Sequence, residues 1–105
     1  MSEQMHSRLQ QLVVIDKKKQ KDKLLDLLTA HSAQGLNVMY GKGSAGGSVW
    51  SQAFGLGEEE PKVMITCLIA TENAAEVLRL LCKEHEYSKP NTGICFCIPV
   101  EGLLF

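Results

Sequence analysis

Anion-seeking residues gather in three places along the chain. Lys17, Lys18 and Lys19 follow a strand-like run, Lys42 stands between Gly41 and Gly43 with Ser44 next, and Lys89 opens the stretch Lys89-Pro90-Asn91-Thr92-Gly93. Glycine lets backbone amides turn inward on an anion in the manner of a phosphate-cradling nest, and a neighbouring lysine supplies charge. The Walker A spacing G-x-x-x-x-G-K-[ST] is absent, and the same glycines serve equally well as a turn that launches a loop. With Asp16 as an N-cap, the three lysines fall in the first turn of a helix, where the dipole disfavours each cation by about 0.3–1 kcal/mol. The run therefore reads either as a solvated helix end or as a positive patch kept for use.

Catalytic machinery does not emerge. Ser44, Ser48 and Ser51 lack a nearby base, His6, His31 and His85 fall in a polar tail and at two helix ends, and Glu101 has no partner carboxylate. The expectation is a protein that is not an enzyme. The cysteines are Cys67, Cys82, Cys95 and Cys97, with no C-x-x-C pair and no clustered histidines, which argues against zinc. Cys95 and Cys97 stand two apart in a strand-like run and share one face, as small core hydrophobes or as a thiol pair. Buried free thiols suit a reducing compartment, so a cytoplasmic location is expected.

These residues must be positioned by one small domain. The 105 residues carry 45% hydrophobic and 22% charged side chains and a net charge of -1, enough for a single soluble domain over 1–105 and too little for a two-domain enzyme. Near-neutral charge excludes a typical nucleic-acid binder. Apolar runs fall short of the roughly 20 residues of a membrane span, and the polar start from Met1 to Gln11 lacks the apolar core of a secretory signal.

Periodicity places a strand at Leu9 to Asp16, a helix at Lys18 to His31 closed by Gly35, and a short strand at Leu36 to Tyr40. A glycine-rich connection runs from Gly41 to Pro61, followed by a strand at Lys62 to Ala70. Thr71 then caps a helix from Glu72 to Glu86 with an apolar stripe of Ala74, Val77, Leu78, Leu81 and Cys82, and the last strand is Ile94 to Val100. The order β-α-β-β-α-β is that of an α+β, ferredoxin-like sandwich, an antiparallel sheet with both helices on one face. Following the chain up and down that plan sends the start of the first helix, the long connection and the segment before the last strand to one end of the sheet.

Two further expectations follow. The last strand lies at a sheet edge, yet Ile94, Cys95, Phe96, Cys97 and Ile98 are apolar on both faces; a neighbouring subunit or the chain's own tail from Gly102 to Phe105 must cover it. Within the long connection, Trp50 and Phe54 either pack on their own domain or anchor a partner, since aromatics dominate interface hot spots.

The element order, Gly41-Lys42-Gly43 opening the connection, Pro61-Lys62-Val63-Met64-Ile65 leaving it and Thr92-Gly93-Ile94-Cys95-Phe96-Cys97-Ile98-Pro99-Val100 closing the fold resemble the PII-like superfamily of nitrogen regulatory proteins, in a short, divergent form. The resemblance implies a homotrimer with a T-loop at about 43–60 and an effector, often an adenine nucleotide, held in clefts between subunits. It implies effector contacts from Lys42, Gly43, Ser44, Asn91, Thr92 and Gly93, and Lys89, placed at the same end by the chain directions, would add charge to them. Through Trp50 and Phe54 of its loop the protein would engage a regulated partner, for which a membrane transporter is one option. Asn91 departs from the glycine-rich pattern of the nitrogen-sensing members, Ile94 takes their phosphate-binding lysine position, and the chain reaches Phe105 without their C-terminal arginines. A second class is a metal-responsive trimer resembling the CutA divalent-cation tolerance proteins, with Cys95 and Cys97 as its candidate ligands. An RNA-recognition sheet is a third, lacking stacking aromatics apart from Phe96.

Overall fold

The β-branched runs become four strands, β1 (Leu9–Lys17), β2 (Gln34–Lys42), β3 (Pro61–Ala70) and β4 (Ile94–Pro99), with helices α1 (Lys21–Ala30) and α2 (Thr71–Glu84). A single 3₁₀ turn, Lys18–Gln20, joins β1 to α1. The structure is a computed structural model and describes residues 9–42, 61–89 and 92–103. The strands lie in the order β2-β3-β1-β4, and every neighbouring pair is antiparallel. This is the sheet expected of the β-α-β-β-α-β plan, with β4 at an edge.

Alternation sorts each strand into two faces. Leu12, Val14 and Asp16 of β1 stand opposite Cys67, Ile65 and Val63 of β3, and Leu12 and Val14 also stand opposite Cys97 and Cys95 of β4. Both helices cover this face. Leu24 and Leu28 of α1, four residues apart, and Ala74, Val77 and Leu81 of α2, three and four apart, join the strand residues in one buried cluster. Each large aliphatic side chain so buried contributes about 1.5–3 kcal/mol. On the opposite face Val13 and Ile15 are buried with Met64 and Ile94 packed beside them.

Several local expectations are corrected. Asp16 does not cap a helix: it lies within β1 and is 3% exposed, and neither the 3₁₀ turn nor α1 has a side-chain cap. Lys17 accordingly belongs to the strand, with Lys18 and Lys19 in the 3₁₀ turn. Ser32, not Gly35, ends α1: at φ 63° it lets Ser32 and Ala33 donate N–H to the Thr29 and Leu28 carbonyls. Gly35, at φ 60°, sits in the irregularity between Gln34 and Asn37 of a β2 longer than the apolar residues imply. Thr71 is the first helical residue rather than a cap and its hydroxyl accepts from Gln10 Nε2, 3.3 Å away. The second helix ends at Glu84, and Leu78 and Cys82 of its expected stripe are exposed.

Candidate functional site

The β1–α1 junction, the facing ends of β2 and β3 and the α2–β4 connection meet at one end of the sheet, as the chain directions require. Lys42 pairs with Pro61, and Lys17 stands opposite Lys62. Beside them lies a cleft of about 570 Å³, lined by Asp16, Lys17, Gln20 and Lys23 on one side and Glu84, His85, Glu86 and Thr92 on the other.

Asp16 organises this end. Its Oδ2 accepts from the Tyr87 hydroxyl at 2.6 Å, and its Oδ1 accepts from the Lys17 N–H at 2.6 Å. Burial pushes the Asp16 carboxyl above its ordinary value, against the pull of those two hydrogen bonds and of the His85 and Lys17 charges. Burial and the Asp16 bond likewise push the Tyr87 phenol far up, so Tyr87 stays a donor. Tyr87 is itself fixed by its backbone. Glu86 takes φ 60°, and the Tyr87 N–H reaches back to the Leu81 carbonyl at 3.1 Å. The ring then lies so close over Gly93 that a Cβ there would fall 2.3 Å from Tyr87 Cζ. Gly93 is thus a glycine because a phenol ring occupies the space of any side chain.

The positions singled out from sequence distribute unevenly. Thr92 lines the cleft and Gly93 lies buried beneath Tyr87. Lys89 belongs to the same connection, but its ammonium pairs with Glu86 at 2.5 Å. Lys42 is the last residue of β2, and Gly41 is paired in the strand opposite Lys62, so it opens no nest. Gly43, Ser44, Trp50, Phe54 and Asn91 lie outside the described residues. Asp16, Tyr87 and His85 were not singled out as site residues by sequence reasoning. The signal for Asp16 was present, a carboxylate continuing the Leu12–Val14 alternation onto the core face; nothing local marks the other two.

Chemically, the cleft offers ammonium, carboxylate, imidazole and hydroxyl groups to a polar ligand. Among the described residues no group of three or more His, Cys, Asp and Glu is placed to hold a metal ion. Cys95 and Cys97 pack against the helix-covered core, and burial pushes both thiols up, away from the thiolate form that binds metals.

A family model described as nitrogen regulatory protein P-II matches residues 9–104. No curated protein matches the chain. Among solved structures, CPII from Thiomonas intermedia K12 bound to ADP, AMP and acetate superposes with a TM-score of 0.65 at 19% identity, covering 86% of this chain and 83% of that one. A second structure of CPII, called a nitrogen regulatory PII-like protein and bound to ADP, AMP and bicarbonate, gives 0.58 at 22% identity over 86% and 89% of the two chains. A functionally unknown protein from Pediococcus pentosaceus ATCC 25745 gives 0.63 at 14% identity over 94% and 98%.

Proposed function

The chain belongs to the nitrogen regulatory protein P-II family, and from that premise we propose that it is a regulator that binds a small effector, an adenine nucleotide or anionic metabolite, and signals to a partner protein. The observation that carries the reading is a polar cleft formed between the β1–α1 junction and the α2–β4 connection, at the same end of the sheet as the facing ends of β2 and β3. The ADP and AMP in the CPII structures support a nucleotide as effector.

In this reading Lys42, Gly43 and Ser44 form the base of a T-loop over about 43–60, and Lys89, Asn91, Thr92 and Gly93 form the facing effector loop. Three copies assemble, so that each cleft is completed by a neighbour. Trp50 and Phe54 of the loop contact the regulated partner, with a membrane transporter as one option. No helix among the described residues is long and apolar enough to cross a membrane, and the four free cysteines suit a cytoplasmic protein. The mechanism is a population shift: an effector that touches the loop base better in one conformation favours that conformation by its differential affinity.

Calorimetric titration with ATP, ADP, AMP, cyclic AMP and bicarbonate tests the reading. Saturable binding of at least one adenine nucleotide is expected, and silence across the panel removes the nucleotide from the proposal.

A further inference from the structure

The buried pair Asp16 and Tyr87 has no role in this reading, and folding alone does not call for it. Asp16 continues the alternation of Leu12 and Val14 onto the helix-covered face, where an aliphatic side chain would be buried without desolvating a polar group. Its partner is reached through an uncommon turn. Glu86 takes φ 60° at the place after a helix that glycine usually occupies, and the Lys89 N–H closes the turn on the Glu86 carbonyl at 2.9 Å. The Tyr87 ring is thereby carried against the far end of the α2–β4 connection, at Gly93.

One ring tip makes both contacts. Tyr87 Oη donates to Asp16 Oδ2 at 2.6 Å, and a Cβ at Gly93 would fall 2.7 Å from that same oxygen. Asp16 and Thr92 line the polar cleft, whereas the ring borders, with Leu78, Leu81, Gly93 and Cys95, an apolar concavity of about 390 Å³. With open space beside it, the ring is not fixed by close packing on every side, and the hydroxyl bond to the buried carboxyl decides where it stands. Gly93 has no gap to the ring and moves with it, and Thr92 is the next residue along the chain.

We propose that Asp16 and Tyr87 are positioning residues for ligand binding: the buried carboxyl holds the phenol, the phenol holds Gly93, and Thr92 is thereby presented to the cleft in the arrangement a ligand requires. The inference rests on the effector reading above, which puts Thr92 and Gly93 at the ligand. A connection held in its binding arrangement before the ligand arrives loses less of the interaction to ordering. The pair acts on affinity through the backbone of the connection, and its influence reaches the cleft from a bond 71 residues apart in sequence.

The test follows two signals in the full chain: calorimetric affinity for ATP, ADP and AMP, and the NMR shift of the Gly93 α-protons, which the ring current of Tyr87 displaces. Tyr87→Phe keeps the ring and removes the hydroxyl. It is expected to lower nucleotide affinity about tenfold or more and to move the Gly93 signal toward that of an ordinary glycine, with native circular dichroism retained. Asp16→Ala should do the same, and where that chain fails to fold Tyr87→Phe carries the test. Asp16→Asn, which accepts from the Lys17 N–H and donates to the Tyr87 oxygen, should keep both signals at their wild-type values, a rescue that a general loss of stability does not produce. A Gly93 signal that stays in place in Tyr87→Phe, or an affinity that is unchanged while the signal moves, overturns the positioning role. Silence of wild type toward all three nucleotides overturns the effector reading, and the Gly93 signal then decides by itself whether the pair positions the connection.

Discussion

Asp16 occupies a core position that its own strand would fill with another Leu or Val, and its two hydrogen bonds are what let a carboxylate stay there. Because burial raises its folded-state value above the ordinary 3.8, the native protein holds this proton more tightly than the unfolded chain does. The stabilisation is therefore complete below 3.8 and is lost as pH rises through the folded-state value. Asp16→Asn stays neutral, can donate to the Tyr87 oxygen while accepting from the Lys17 N–H, and removes that dependence. The stability of Asp16→Asn relative to wild type, measured by urea unfolding, is expected to improve as pH rises from about 3.5 and then level off. A difference that is flat or runs the other way would show that the Tyr87 bond and the His85 and Lys17 charges outweigh burial. Tyr87→Phe deprives the carboxylate of one donor and should cost about 1.5–3 kcal/mol. Gly93→Ala should cost a further sum of about 1–3 kcal/mol by overpacking the ring, and should be nearly neutral in a Tyr87→Ala background.

At the scale of elements, periodicity carried most of the argument and long-range pairing the rest. The alternation of Val63, Ile65, Cys67 and Ile69 and the spacing of Ala74, Val77 and Leu81 are readable in any short window, and from them the element types follow, whereas the strand order is set by long-range pairing. Element ends were less legible, because their determinants lie elsewhere in the chain. Asp16 looks like a cap until Tyr87, 71 residues away, supplies its partner. Gly41 looks like a turn until β3 pairs with it, and Ser32 ends α1 in a conformation for which Gly35 is the more obvious candidate. The same division holds for the site: the meeting of its segments was derivable, while the carboxylate–phenol bond that fixes them has no local period. The cysteines of β3 and β4 show what shared placement implies for reactivity. The Cys67 thiol is pushed by burial from 9.0 up to about 11, which leaves it roughly a hundredfold less thiolate at neutral pH than an ordinary thiol; Cys95 and Cys97 are pushed up as well. Iodoacetamide at pH 8, followed by peptide mass mapping, should alkylate the exposed Cys82 first and the other three at least about tenfold more slowly. Fast labelling of Cys95 or Cys97 would reopen the metal-binding class.

For the whole molecule, the decisive feature is the sheet face that carries no helix. Met39, Met64, Ile15 and Ile94 stand in register across all four strands, flanked on β4 by Phe96 and Ile98. Met39 is 47% exposed, Phe96 36% and Ile98 46%, on a face whose edge strand, β4, has no charged residue to blunt it. Such a face invites association, and the proposed three-copy assembly would cover it. Each Phe or Ile so covered contributes about 1.5–3 kcal/mol, repeated in every copy, whereas an unpaired carboxylate in the same place costs several kcal/mol. Phe96→Glu/Ile98→Glu should therefore fold, since both positions are partly exposed in the single chain, yet sediment at one chain mass where wild type sediments at three. If the clefts are completed by neighbouring copies, the same variant should also lose nucleotide binding while keeping native circular dichroism. A variant that remains a trimer would move the interface to another surface, and a wild type that sediments as a monomer would remove the shared cleft on which effector binding between copies depends.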